Sequence, residues 1–112
     1  MPACPHANRQ PAMREKAVQR DVALALRAMG FAVSDLSQPR ASMQTPGIPD
    51  LYAHHPAWGV RLWVEVKTAR GRVSPAQDRW HEAERAAGGT VVVARSAGDV
   101  VDALRDLGAP IE

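Results

Sequence analysis

From Met13 to Met29 the apolar residues Val18, Val22, Ala25, Leu26 and Met29 return at intervals of three and four, and Gly30 follows them. That spacing lays one apolar stripe along one side of a helix, and the glycine supplies its stop. The period then changes. FAVSDLS is short, begins with Phe31, and breaks at Gln38-Pro39, which predicts a strand from about Phe31 to Leu36. QPRASMQTPGIP is expected to be an exposed loop. Two apolar runs, Asp50 to His54 and Val60 to Lys67, flank HPAWG, whose Pro56 and Gly59 mark a turn, so the pair predicts an antiparallel hairpin.

Helical spacing resumes in SPAQDRW. Ser74 suits an N-cap, Pro75 the first helical position, and Gln77, three residues after the serine, completes a capping box. This helix is expected to run to about Ala87 and to end at Gly88-Gly89; TVVVA at 90–94 follows as a buried strand. Ser96 and Asp99 then cap a last helix from Ala97 to Leu107, before Gly108. The order α-β-β-β-α-β-α, a hairpin followed by a parallel crossover, predicts an α/β fold: a mixed sheet of about four strands with helices on both faces.

A chain of 112 residues accommodates one core, and the reading is a polar N-terminal tail over 1–11 and a single domain over 12–112. With 46% hydrophobic and 23% charged residues the composition is that of a folding chain. Twelve of the fourteen basic residues are Arg, which forks onto phosphate oxygens; a GC-rich coding sequence produces the same bias, so composition does not choose a partner. The single cysteine, Cys4, excludes an internal disulfide framework and a cysteine-built zinc site, and with no leader or spanning run in view a cytoplasmic protein with no membrane partner is expected. Cys4 and His6 sit in the tail and receive no role.

The chemistry gathers between Thr45 and Gly71. Along Val60–Lys67 side chains alternate, so Leu62, Val64 and Val66 share one face while Arg61, Trp63, Glu65 and Lys67 share the other. The hairpin runs antiparallel, which brings Asp50, at the start of one strand, to the same end of the sheet as Glu65, near the end of the other. Two carboxylates and a backbone carbonyl form a donor set that a hard divalent ion such as Mg²⁺ accepts, and a neighbouring lysine suits phosphate chemistry. An ordinary hairpin whose solvated face carries Glu and Lys two residues apart has the same sequence.

Taken together, GIPDLYA, LWVEVKT and SPAQDRW, closing on AGG, resemble the PD-(D/E)XK nuclease superfamily and, within it, the VRR-NUC family. The resemblance covers Glu15 to about Ser96 and implies a restriction-endonuclease-like core. It implies that Asp50 and Glu65 bind metal, that Val66 lends its carbonyl, that Lys67 is the catalytic lysine and that Gln77 reaches the active site from its helix. Family members carry a glutamate on the first helix, which points to Glu15 as a third acid; a solvated first-turn glutamate is the other reading. Gln77 is equally explained by the capping box. Trp80 is expected in the core, Trp63 either in the core under the first helix or at the lip of the cleft, and His54 and His55 at the hairpin turn in solvent without a role.

What the resemblance implies for activity is a Mg²⁺-dependent endodeoxyribonuclease, with Mn²⁺ able to substitute. Small stand-alone members of the kind carried by phages suggest a homodimer cutting branched DNA, four-way (Holliday) junctions included, since nothing in the chain is left over for a separate recognition domain. Arg70, Arg72 and Arg79 are the candidate DNA contacts. Two other readings stay open: a nucleic-acid-binding module that does not cut, and a non-enzymatic partner-binding protein.

Overall fold

A computed structural model describes residues 11–37 and 45–111, with the side chains of 11–13 excepted. The expected tail, up to residue 10, and residues 38–44 of the expected loop lie outside the described residues. The elements follow the anticipated order: α1 (Pro11–Ala28), β1 (Ala32–Asp35), β2 (Leu51–His55), β3 (Val60–Val66), α2 (Pro75–Ala86), β4 (Val91–Ala94) and α3 (Ala97–Asp106). The ends differ from expectation by one or two residues; α1 begins two residues earlier, at Pro11, a residue tolerated in a first turn that needs no N–H from it.

The four strands form one sheet in the order β1-β2-β3-β4. The first two pairings are antiparallel, and β3 pairs with β4 in parallel across the α2 crossover. One sheet face carries Leu51, Ala53, Leu62, Val64 and Val66, each at most 1% exposed, and packs with Val22 and Leu26 of α1 and Val100 and Leu104 of α3 into the main core. Val100 and Leu104 of the apolar stripe of α3 are therefore spent on the core, while Leu107, at the C-cap, is 49% exposed. On the opposite face, Trp63 lies against Tyr52, with ring centroids 4.8 Å apart, and against Trp80 of α2 at 4.9 Å. Trp63 thus packs beneath α2, not beneath α1.

His55 corrects an expectation. It is buried, with Nδ1 accepting from the Trp58 N–H at 3.1 Å and Nε2 2.9 Å from the Met29 carbonyl, while its ring stacks on Trp58 at 3.9 Å. His54 alternates outward and is exposed, as expected. Having β2 extend through His55 drives that ring into the end of α1, where Gly30 makes room. Gly30 has φ 103°, and a Cβ there would sit 2.7 Å from His55 Nε2.

Candidate active site

Hairpin register sets the geometry. Leu51 faces Val64, so one further step along the same register places Asp50 opposite Glu65, on the face that carries Trp63 and Tyr52. β2 has ended there, and the Val66 N–H, left without a strand partner, is satisfied by Asp50 Oδ2 at 2.8 Å. In a strand the N–H and C=O of one residue point to the same side, so the Val66 carbonyl leaves β3 toward Asp50. The other edge of β3 is pinned by β4, through Lys67 N–H to the Ala94 carbonyl at 2.9 Å.

Glu65 is 1% exposed and Lys67 9%, so the pair is not the solvated face of an ordinary hairpin. Lys67 Nζ lies 3.8 Å from Glu65 Oε2. α2 holds both oxygens of that carboxylate. Gln77 Nε2 donates to Oε2 at 3.1 Å, and His81 Nε2 lies 3.2 Å from Oε1. Gln77 meanwhile completes the capping box with its other end, Oε1 accepting from Ser74 N–H at 2.9 Å while its own N–H reaches Ser74 Oγ at 3.1 Å. The capping bonds and the bond to Glu65 use different atoms of this glutamine, so one does not preclude the other.

His81 is the residue that sequence reasoning missed. It is 1% exposed and stands four residues after Gln77, on the same side of α2. That i,i+4 spacing from a glutamine already assigned to the site was the available signal.

Electrostatics mark the cluster as crowded with negative charge. Burial, then the Asp50 charge and a side-chain hydrogen bond with Asp50, raise Glu65 from 4.5 to about 8, against the opposing pull of Lys67. Burial and the Asp50 charge also raise Glu15, and Lys67 pulls it back, so this α1 glutamate lies within the field of the site. Burial and the Arg85 charge lower His81, which makes its contact with Glu65 a hydrogen bond between neutral groups near neutrality, not an ion pair.

Among the described residues no three His, Cys, Asp or Glu side chains close into a metal cage. What remains is an open set of hard oxygens: the Asp50 and Glu65 carboxylates and the Val66 carbonyl, with Glu15 in electrostatic range. Two carboxylates placed so that one must keep its proton are a site that a divalent cation would relieve, and the donor types suit Mg²⁺ or Mn²⁺.

The remaining candidates stand apart. Arg70 and Arg72 are exposed in the segment between Lys67 and α2. Arg79 is exposed on α2 two residues after Gln77, hence on the side turned away from Glu65. A cleft of about 470 Å³ lies toward the hairpin-turn end of β3, lined by Tyr52, Arg61, Trp63, Glu84 and Thr90, and none of Glu15, Asp50 and Glu65 lines it. Donor chemistry, not cavity volume, locates the candidate site.

No helix among the described residues is long and apolar enough to cross a membrane. No curated protein matches the chain. The VRR-NUC domain model matches residues 7–98. A solved structure titled "VRR_NUC domain" is 33% identical in sequence, superposes with a TM-score of 0.66, and aligns over 83% of this chain and 95% of its own. With a match over most of its length, and with the aspartate, the glutamate, the lysine and the helix glutamine gathered at one end of the sheet, the chain belongs to the VRR-NUC family, a family of nuclease-like domains.

Proposed function

We propose that the protein is a divalent-metal-dependent, structure-selective endodeoxyribonuclease that hydrolyses phosphodiester bonds in branched DNA, four-way junctions among them. The observation that carries this reading is the pairing of Asp50 with a buried Glu65 raised to about 8, with the Lys67 ammonium 3.8 Å from Glu65. A binding module or a structural protein has no use for two crowded carboxylates at one register position, one of them buried at a cost in folding energy.

Asp50, Glu65 and the Val66 carbonyl would hold the ion, with Glu15 as a further acid. When bound, Mg²⁺ or Mn²⁺ supplies Lewis-acid polarisation of the scissile phosphate and lowers the pKa of a coordinated water. Gln77 and His81 fix the Glu65 carboxylate from two sides, so that it does not swing when a substrate enters. Lys67, its stem buried and its backbone held by β4, presents one ammonium group to charge that develops on the phosphate oxygens. Arg70 and Arg72, exposed in the segment after Lys67, would meet the DNA backbone beside it, and Arg79 a more distant segment.

A homodimer fits the same reading, because nicking two strands of like polarity symmetrically needs two identical sites related by a two-fold axis. The deciding experiment is a cleavage panel of labelled four-way junction, flap, fork and plain duplex, with Mg²⁺ and with EDTA, beside Lys67→Ala. Metal-dependent cutting of branched substrates by the wild type and its loss in the variant are expected. Equal cutting with EDTA would remove the metal from the reading, and equal cutting of duplex would remove the branch selectivity. Light scattering at micromolar concentration is expected to return twice the chain mass; a monomer that still cuts the junction on both strands would end the dimer argument.

A further inference from the structure

Lys67 is held by the sheet, but the turn that follows it is held by something else. Gly71 N–H closes on the Thr68 carbonyl at 3.1 Å, making a compact turn over 68–71. A Cβ on Gly71 would lie 3.2 Å from Thr68 Oγ1 and 3.5 Å from Lys67 Cδ, so the turn is wound closely against its own start. The turn lies in the connection between β3 and α2 and belongs to neither. Its anchor is Arg95, the first residue after β4, whose Nη1 donates to the carbonyls of Thr68 and of Gly71, each at 2.6 Å. Arg95 is fixed in turn, its own N–H donating to Asp99 Oδ2 at 2.8 Å at the start of α3.

We infer that Arg95 is a positioning residue for DNA binding: its guanidinium locks the turn 68–71 and thereby aims Arg70, inside the turn, and Arg72, just after it, at the phosphate backbone. This rests on the proposed nuclease reading. Nη1 spends both of its hydrogens on the two carbonyls, so this end of Arg95 acts through the turn. Without the bridge, two carbonyls at the turn lose a charged donor, and the turn retains only its single internal hydrogen bond. Arg70 and Arg72 then sample many orientations, and each phosphate contact must bear the cost of ordering the loop. Lys67 stays in place, since its N–H to Ala94 and the β3-β4 pairing do not pass through Arg95.

The test uses the full chain and two probes, a fluorescein-labelled four-way junction and a duplex of matching sequence. Binding is measured in Ca²⁺ over a salt series and cleavage in Mg²⁺. Arg95→Gln is expected to raise KM and weaken junction binding about tenfold, to flatten the salt slope by one to two phosphate contacts, and to leave kcat at saturating DNA within about threefold. Arg95→Lys, whose ammonium can still donate to both carbonyls, should recover most of the affinity. In an Arg70→Ala/Arg72→Ala background Arg95→Gln should add no further loss, because there is then nothing left to aim.

An additive loss in that background would mean that Arg95 touches phosphate itself, and would overturn the inference. So would a fall in kcat with unchanged KM, or wild-type affinity in Arg95→Gln. Wild-type protein that neither binds nor cuts either probe would bring down the nuclease reading and this inference together; normal wild-type activity with an indifferent Arg95→Gln would bring down the inference alone.

Discussion

Glu65→Gln is expected to make the metal-free protein more stable above neutral pH while destroying its activity. In the folded chain burial and Asp50 lift the Glu65 carboxyl from 4.5 to about 8, so between those values the folded state holds a proton that the unfolded state has released. Stability must then fall as pH rises through that window, since the slope follows the protons bound by the unfolded state minus those bound by the folded. At ~1.4 kcal/mol per pH unit the whole displacement is worth a few kcal/mol, of which about 2 kcal/mol should be lost between pH 6.5 and pH 8. His81 works in the opposite sense but elsewhere: its folded value lies below 6.5, so it adds stability as pH rises only up to that point. Glu15, raised from 4.5, acts in the same sense as Glu65, its own window beginning at that value. Glutamine keeps the shape and the contacts to Gln77 and His81 but has no proton to lose. Urea unfolding in EDTA at pH 6.5 and pH 8 should therefore show the wild type weakening and the variant level; saturating Mg²⁺ should flatten the wild-type response as well. Parallel pH dependence in the two proteins would refute the assignment of a crowded, proton-holding carboxylate at this position.

Three further outcomes follow from the same geometry. Asp50→Asn should abolish cleavage and the thermal upshift given by Mg²⁺ while leaving most DNA binding, which a melting curve with and without the ion and a gel-shift titration would check. Lys67→Ala should lower kcat by about a hundredfold or more with that Mg²⁺ upshift retained, as single-turnover cleavage would report. Gly30→Ala should cost on the order of 1–3 kcal/mol in a denaturation series, from the positive φ and the approach of His55, with no change in the metal response.

The order of elements and the mixed sheet were legible because each element announces itself locally: the stripe from Val18 to Met29, the Ser74-Pro75-Gln77 start, the turn at Pro56–Gly59. The convergence of Asp50 with Glu65 was legible for a related reason, since an antiparallel hairpin makes the two ends of its strands one place. What period and motif could not give was depth. Alternation places Glu65 and Lys67 on the second face of the sheet but does not say that α2 closes over it, so their burial came only with the tertiary packing. The burial of His55 departs from the expectation for the same cause, because it depends on the end of α1, a contact 26 residues away that turn propensity does not encode. His81 was silent because a histidine within a helix reads as surface until the carboxylate it faces is known. The Arg95 bridge spans 24 to 27 residues and leaves no local trace at all.

The hairpin turn lies at the opposite end of its strands from the acids, yet it fixes them. Asp50 meets Glu65 because Leu51 meets Val64, and that pairing is counted outward from the residues between His55 and Val60. A single residue inserted there, unless the turn itself absorbed it as a bulge, would slide one strand past the other, set Asp50 across from an apolar neighbour and push a core side chain toward α2. For anyone wishing to tag, graft or permute this domain, the exposed tip that looks most dispensable is a ruler for the candidate site, and its length is the last thing to change.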